Sequence, residues 1–295
     1  LVLWKMVLVA SREKNYDKWW MNTVIRRSIK DRVIKNVYIY FRIFVQNLRA
    51  ILEYQTDFII TMIVAIITQL LGFFFLHLVF QKVPDINGWT LWEVLFMYAM
   101  LYISGGVSSL FFGGLWSIGS LVRRGGLDLY LIRPVSPLVQ VLASNVGMNG
   151  LGNLVTGGII LTHSLMNMNI AWSVQKGIFF VIFLISAVII RTSIIMAANS
   201  SAFWIRSARN TVPFLINTIS DFVQFPITIY PLGIRTLVTM IFPYAFIGFF
   251  PANYLFKDTE FAVWGLLTPL VAIYCMMMAV LLFKRGLKSY ESVGN

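Results

Sequence analysis

The amino-acid sequence predicts an all-α polytopic membrane protein with six transmembrane helices. Three observations carry that expectation: the chain is 58% hydrophobic and only 12% charged, its apolar residues come in runs of about twenty, and its basic residues cluster between the runs. A soluble domain of 295 residues cannot bury so much apolar surface. The net charge is +12, and Lys5, Arg12, Lys14, Lys18, Arg26, Arg27, Lys30, Arg32, Lys35, Arg42 and Arg49 all precede residue 50. Beside membrane spans such a cluster points to anionic membrane lipid rather than to nucleic acid, which is not expected as a partner. The single cysteine, Cys275, excludes an intrachain disulfide. His77 and His163 stand far apart without cysteine or clustered carboxylates, so no metal site and no cofactor is expected.

Residues 1–23 read as an N-terminal extension, too short and too interrupted by Lys5 to span, with Met21 as the expected start. Residues 24–52 predict an amphipathic interfacial helix, because Val33, Val37, Tyr40, Phe41, Phe44, Val45 and Leu48 recur at three and four. The first span is expected over 57–80, with Gln69 and His77 as its polar interruptions. A turn with Pro84, Gly88, Trp89 and Trp92 leads to the second span, 91–121. The small residues of that span (Ser104, Gly105, Gly106, Ser108, Ser109, Gly113, Gly114, Gly119) let helices approach closely, within one subunit or at a subunit interface. Further spans are expected over 138–165, 174–198, 211–230 and 261–283, followed by a cytoplasmic tail, 289–295.

Between the fifth and sixth spans, 232–256 is taken to dip into the membrane and return. Pro226, Pro231, Pro243 and Pro251 break the stretch 211–256, and a re-entrant path keeps every basic cluster on one side. Both ends are then cytoplasmic, and the outside loops hold only Lys82, Lys176, Arg235 and Lys257. Residues 199–212, with Arg206 and Arg209, read as a short loop.

The polar stretch 121–138, LVRRGGLDLYLIRPVSPL, carries Arg123, Arg124, Asp128 and Arg133 between two spans. Gly125 and Gly126 break the helix before it, and Pro134 and Pro137 punctuate it afterwards. The remainder predicts a short helix, Leu127 to Ile132, with Arg124 and Asp128 spaced for an i,i+4 ion pair. Pinned at the membrane surface, this segment is a handle for a cytoplasmic partner.

No phosphate loop, HExxH or GxSxG motif occurs, so the chain is not expected to be an enzyme. Two charges fall inside predicted spans: Arg191 about 10 Å from one end of span four and Asp221 roughly 15 Å into span five, at about 1.5 Å per residue. Either they form an intramembrane pair or they line a functional cavity, and both readings stay open.

The order of several motifs resembles the permease subunits of bacterial ABC-2 type ABC transporters. These are Glu53-Tyr54 before Asp57-Phe58, Gly88-Trp89 with Glu93, Arg124-Gly125-Gly126-Leu127-Asp128, Arg133-Pro134-Val135-Ser136-Pro137, Phe225-Pro226, and Phe250-Pro251-Ala252. Gln55 departs from the family, which often carries a basic residue there. The resemblance covers about residues 24–288 and implies a six-span subunit in the bacterial inner membrane. Such a subunit pairs with itself or a sister permease and is driven by a separate ATP-binding cassette ATPase. It further implies that 121–138 is the coupling helix, with Arg123, Arg124, Asp128, Arg133, Pro134 and Pro137 at the contact. Two other classes stand beside it: an ion-coupled secondary transporter using Arg191 and Asp221, and a membrane interaction or immunity protein.

Overall fold

The computed structural model describes residues 29–53, 55–168, 170–205, 211–257 and 260–292, and these are helical with no strand among them. The N-terminal extension, the start of the interfacial helix, Arg206, Arg209 and residues 293–295 lie outside the described residues.

Helix α1 (Ile29–Glu53) is amphipathic in the expected way. Tyr40, Phe44, Leu48 and Ile51 pack against Leu110, Phe111, Val146 and Met148, while Val37, Phe41 and Val45 stay exposed on the flank. Helix α2 (Gln55–Lys82) follows, then a turn in which Asn87 and Gly88 take positive φ. Helix α3 (Leu91–Phe112) starts on a capping box, Glu93 returning to the Thr90 backbone N–H at 2.8 Å. It runs through a 3₁₀ stretch (Gly113–Ser117) into α4 (Ile118–Arg123). At about 1.5 Å per residue this rod approaches 50 Å, well beyond the hydrocarbon thickness of about 30 Å.

The predicted third span, 138–165, is not one helix. Helix α5 (Asp128–Leu131) and α6 (Pro137–Ala143) precede a break, and α7 (Asn149–Asn167) begins only after it. The break exists because the Gly147 N–H donates to the Ser109 carbonyl at 3.0 Å, leaving the helical ladder to bond α3 instead. Glycines make the approach: a Cβ on Gly150 would sit 2.6 Å from the Gly106 carbonyl oxygen, so the two backbones touch where any side chain would part them. The small residues of 104–114 are thus spent largely on packing inside one chain.

Helix α8 (Val174–Ser200) matches the expected fourth span, with its Ser173 cap accepting from the Lys176 N–H. The predicted fifth span, 211–230, is not one continuous helix: α9 (Thr211–Ile219) is only nine residues long, about 14 Å. Beyond it 3₁₀ turns cover Ser220–Gln224 and Ile227–Ile229, because Pro226 forces Phe225 into an extended conformation. Helix α10 (Leu232–Thr236), a π-turn to Ile241 and α11 (Phe249–Phe256) follow, and the two halves of this stretch meet at 73°. Helix α12 (Ala262–Leu266) leads into α13 (Thr268–Lys288), which buries Ala272, Cys275, Ala279, Phe283 and Gly286 at helical spacing, along its contact with α8.

Among the described residues four helices are therefore long and apolar enough to cross a membrane, or five if the bent pair counts as one span. The chain is a multi-pass membrane protein.

Candidate functional site: the basic end of the bundle

The 121–138 segment begins where α4 stops. Gly125 has φ +69°, a left-handed turn that ends the helix after Arg124. Helix α5 is a single turn, shorter than the expected Leu127 to Ile132: the Asp128 N–H donates to the Gly125 carbonyl of the turn before it, and after the Ile132 N–H reaches the Asp128 carbonyl Pro134 stops the ladder. Val122 and Leu127 are almost wholly buried against Leu115, Ile118, Val141 and Phe283, and they anchor the segment to the rods. The rest is held by side chains reaching the backbone. The Gln140 amide donates to the carbonyls of Tyr130 at 2.9 Å and Val135 at 3.1 Å, and Lys35 Nζ reaches that of Pro134 at 3.4 Å.

Asp128 does not pair with Arg124. Arg124 caps α4 and Asp128 opens α5, so the glycine turn takes them off a shared helix. The Asp128 carboxylate instead accepts from Ser292 Oγ at 2.6 Å, joining the segment to the C-terminal residues. Arg124, Arg133 and Pro134 are exposed, Arg123 and Pro137 half-buried, and the Arg133 guanidinium lies 5.8 Å from the Tyr130 ring centre. Ile132 is 79% exposed and Leu129 57%. The segment is thus rooted on one side and displays an apolar and cationic surface on the other.

The same end collects other basic residues. Lys284, Arg285 and Lys288 lie on the last turns of α13 rather than in a loop beyond it, and Phe283 of those turns packs on Phe203 at the end of α8. Asn47 of α1 donates to the Ala143 carbonyl at 2.7 Å, bringing the basic α1 to this end too. The opposite end is built differently. Lys257 Nζ lies 2.9 Å from Glu93 Oε1, donates to the Gly88 carbonyl at 2.8 Å and sits 5.2 Å from the Trp89 ring centre. Lys176 Nζ donates to the Leu255 carbonyl at 3.0 Å.

Arg191 and Asp221 come into one neighbourhood but form no direct ion pair. Arg191 Nη2 donates to Asn217 Oδ1 at 2.9 Å, and the guanidinium lies 5.4 Å from the Tyr244 ring centre beside the open side of Gly105. Its Nε and Nη1 are buried without a partner. Asp221 is exposed on the 3₁₀ turn and accepts from the Gln224 amide at 3.2 Å. The shortening of α9 is the physical reason, because it carries Asp221 off the helical track that would have faced Arg191.

The family described as ABC-2 family transporter protein matches residues 39–294, nearly all of the chain. The chain belongs to the ABC-2 transporter family. No curated protein and no solved structure matches it. As an ABC-2 family member it is the membrane-embedded part of an ABC-type transporter, not a catalytic domain.

Two functional-looking features of this ABC-2 protein escaped the sequence. The Lys257 clasp joins residues 169 positions apart along the chain, and no local signal announces it. The Gln69 interruption is a buried network: Tyr98 OH donates to the Gln69 carbonyl at 2.9 Å, and the Gln69 amide to Asn153 Oδ1 at 3.0 Å. The absence of a side chain at Gly72, where a Cβ would meet the Tyr98 hydroxyl, was the one available hint.

Proposed function

We propose that this chain is the permease subunit of an ATP-driven ABC-2 exporter of the bacterial inner membrane. It pairs with a second permease subunit, a copy of itself or a sister chain, and residues 121–138 seat in a cytoplasmic ATP-binding cassette ATPase. The observation that carries the reading is the build of the segment: buried at Val122 and Leu127, open at Leu129, Ile132 and Arg133. A lever needs both properties. Force applied to α5 passes through α4 into the α3 rod, and from α3 through the Gly106–Gly150 contact into α7. ATP closure shifts the permease between inward and outward states only insofar as the ATPase grips the segment differently in the two.

The reading includes a topology. The basic end lies in the cytoplasm by the positive-inside rule, with both termini, and the Lys257 end outside. Residues 137–167 make one crossing broken at Gly147, residues 211–229 another broken at Pro226, and 232–256 enters and returns. That gives six crossings. Arg123, Arg124, Asp128, Arg133, Pro134 and Pro137 form or shape the ATPase contact.

The test is purification of the chain from its native membrane with identification of its partners, followed by transport assays. A nucleotide-hydrolysing subunit should co-purify, and transport should stop when its ATPase is inactivated. Transport that persists without it, driven by an ion gradient, would instead favour the secondary-transporter alternative built on Arg191 and Asp221.

A further inference from the structure

Near the Lys257 end, Arg235 of α10 borders a cavity of about 210 Å³ whose walls include Ile227, Thr239, Phe250, Phe261 and Trp264. At about 30 Å³ per water this is room for roughly seven waters, the size of a head group rather than of a whole drug-like molecule. Its apolar walls are orderly: the Phe250 and Trp264 rings stack at 5.9 Å with 22° between their planes.

The polar side of the cavity is incomplete. Arg235 Nη2 donates to the Thr228 carbonyl at 3.3 Å, but its Nε is buried and meets no acceptor. The hydroxyl of Thr239, in the lining, is buried and unpartnered as well. Arg235 makes no ion pair with any carboxylate among the described residues. A guanidinium in an apolar wall without a counter-charge is costly, and a planar fork of N–H donors fits an oxyanion with two oxygens. Met240 of the lining is 63% exposed, and Ile241 and Val263, next in the chain to the lining residues Met240 and Trp264, are 62% and 67% exposed.

We propose that this cavity binds the oxyanion head, phosphate or carboxylate, of an amphiphile whose apolar chain lies over Met240, Ile241 and Val263. Arg235 holds the anion, the Thr239 hydroxyl supplies a further hydrogen bond, and Phe250 and Trp264 pack against the first carbons. The site is independent of the 121–138 segment and of how the transporter is driven.

The test uses the full chain with its co-purifying partners in dodecyl maltoside micelles, which carry no phosphate or carboxylate. One arm titrates phosphatidylglycerol into the micelles and counts retained lipid by mass spectrometry. A second adds labelled octyl phosphate, and a third adds inorganic phosphate. Saturable binding near one per chain is expected in one or both amphiphile arms, and the arm that binds identifies the source as bilayer lipid or soluble amphiphile. Arg235→Gln should weaken it at least about tenfold, Arg235→Lys less, and Thr239→Val a few-fold. Binding unchanged in Arg235→Gln overturns the proposal, as does inorganic phosphate binding as tightly as octyl phosphate. Should Arg235→Gln not survive purification, unchanged binding in both Arg235→Lys and Thr239→Val overturns it equally.

Discussion

At the Lys257 end of the bundle cations meet partners inside the fold, whereas at the Arg133 end they are held out by it. Lys257 satisfies a carboxylate, a carbonyl and an indole at once, and Lys176 reaches a carbonyl. Arg124 and Arg133 stand exposed on a segment whose backbone is pinned by Gln140 and Lys35 and whose Asp128 carboxylate is held by Ser292. Apart from Arg235, one end is finished by its own contacts; the other is stiffened but left open. Charge spent internally stabilises a fold, and charge displayed on a rigid frame is available to another molecule.

The largest break in this contrast should come from the displayed charges. Asp128→Ala or Arg124→Glu should reduce ATP-driven transport by roughly tenfold or more, the scale of lost charge complementarity at a docking interface. Insertion and thermal stability should stay near wild type. Ser292→Ala separates two causes: if it reproduces Asp128→Ala, the carboxylate acts through the C-terminal residues and not through a partner. Retained transport in both charge variants would remove the functional meaning of the contrast.

Next in size is the frame itself. Gly114→Val at the basic end drives a side chain into the Val141 carbonyl, backbone that cannot swing aside, and should cost about 3 kcal/mol or more. Gly88→Ala at the other end meets nothing within 4 Å and carries only the strain of φ +77°, about 1 kcal/mol. Thermal unfolding in detergent ranks the two, and equal losses would contradict the packing account. Lys257→Ala should lower thermal stability by about 1–2 kcal/mol, since its ion pair is partly exposed and screened, while leaving ATPase association intact.

The smallest effect is a pH dependence at α1. Burial pushes the Tyr40 hydroxyl up to about 12 from its ordinary 10, and it donates to the Phe111 carbonyl. A raised folded-state value means the docking of α1 is fully supported below about pH 10 and weakens as pH rises towards about 12. The difference in melting temperature between wild type and Tyr40→Phe should therefore shrink from pH 9 to pH 11.5, and a constant difference would refute it.

How much was legible in the sequence follows from what hydropathy measures. Within 56–82 the 18-residue stretch that qualifies it as a span has mean hydropathy 2.5 yet only 11% of it is buried, while the corresponding stretch of 91–123 has 1.6 and is 67% buried. The 174–203 helix reaches 2.6 and is 44% buried, so hydropathy announces the long helices but does not rank their burial or name their packing partners. The break at Gly147 was invisible because a backbone bond to Ser109 decides it, not apolarity, whereas Pro226 was legible as a breaker but did not show that α9 ends as early as Ile219. Within 121–138 the glycine and proline breakers told where the segment turns. The Arg124–Asp128 pairing failed because the i,i+4 rule presumes one continuous helix, and Ser292, 164 residues away, took the carboxylate.

The central claim is that the displayed end faces the compartment holding the ATPase. In a Cys275→Ala background, Ile132→Cys and Lys82→Cys mark the two ends, and a membrane-impermeant maleimide applied to intact cells reads their side. The account predicts labelling at residue 82 from outside, and at residue 132 only after the membrane is opened. Labelling of residue 132 in intact cells would put the segment beyond the reach of any cytoplasmic ATPase and contradict the account.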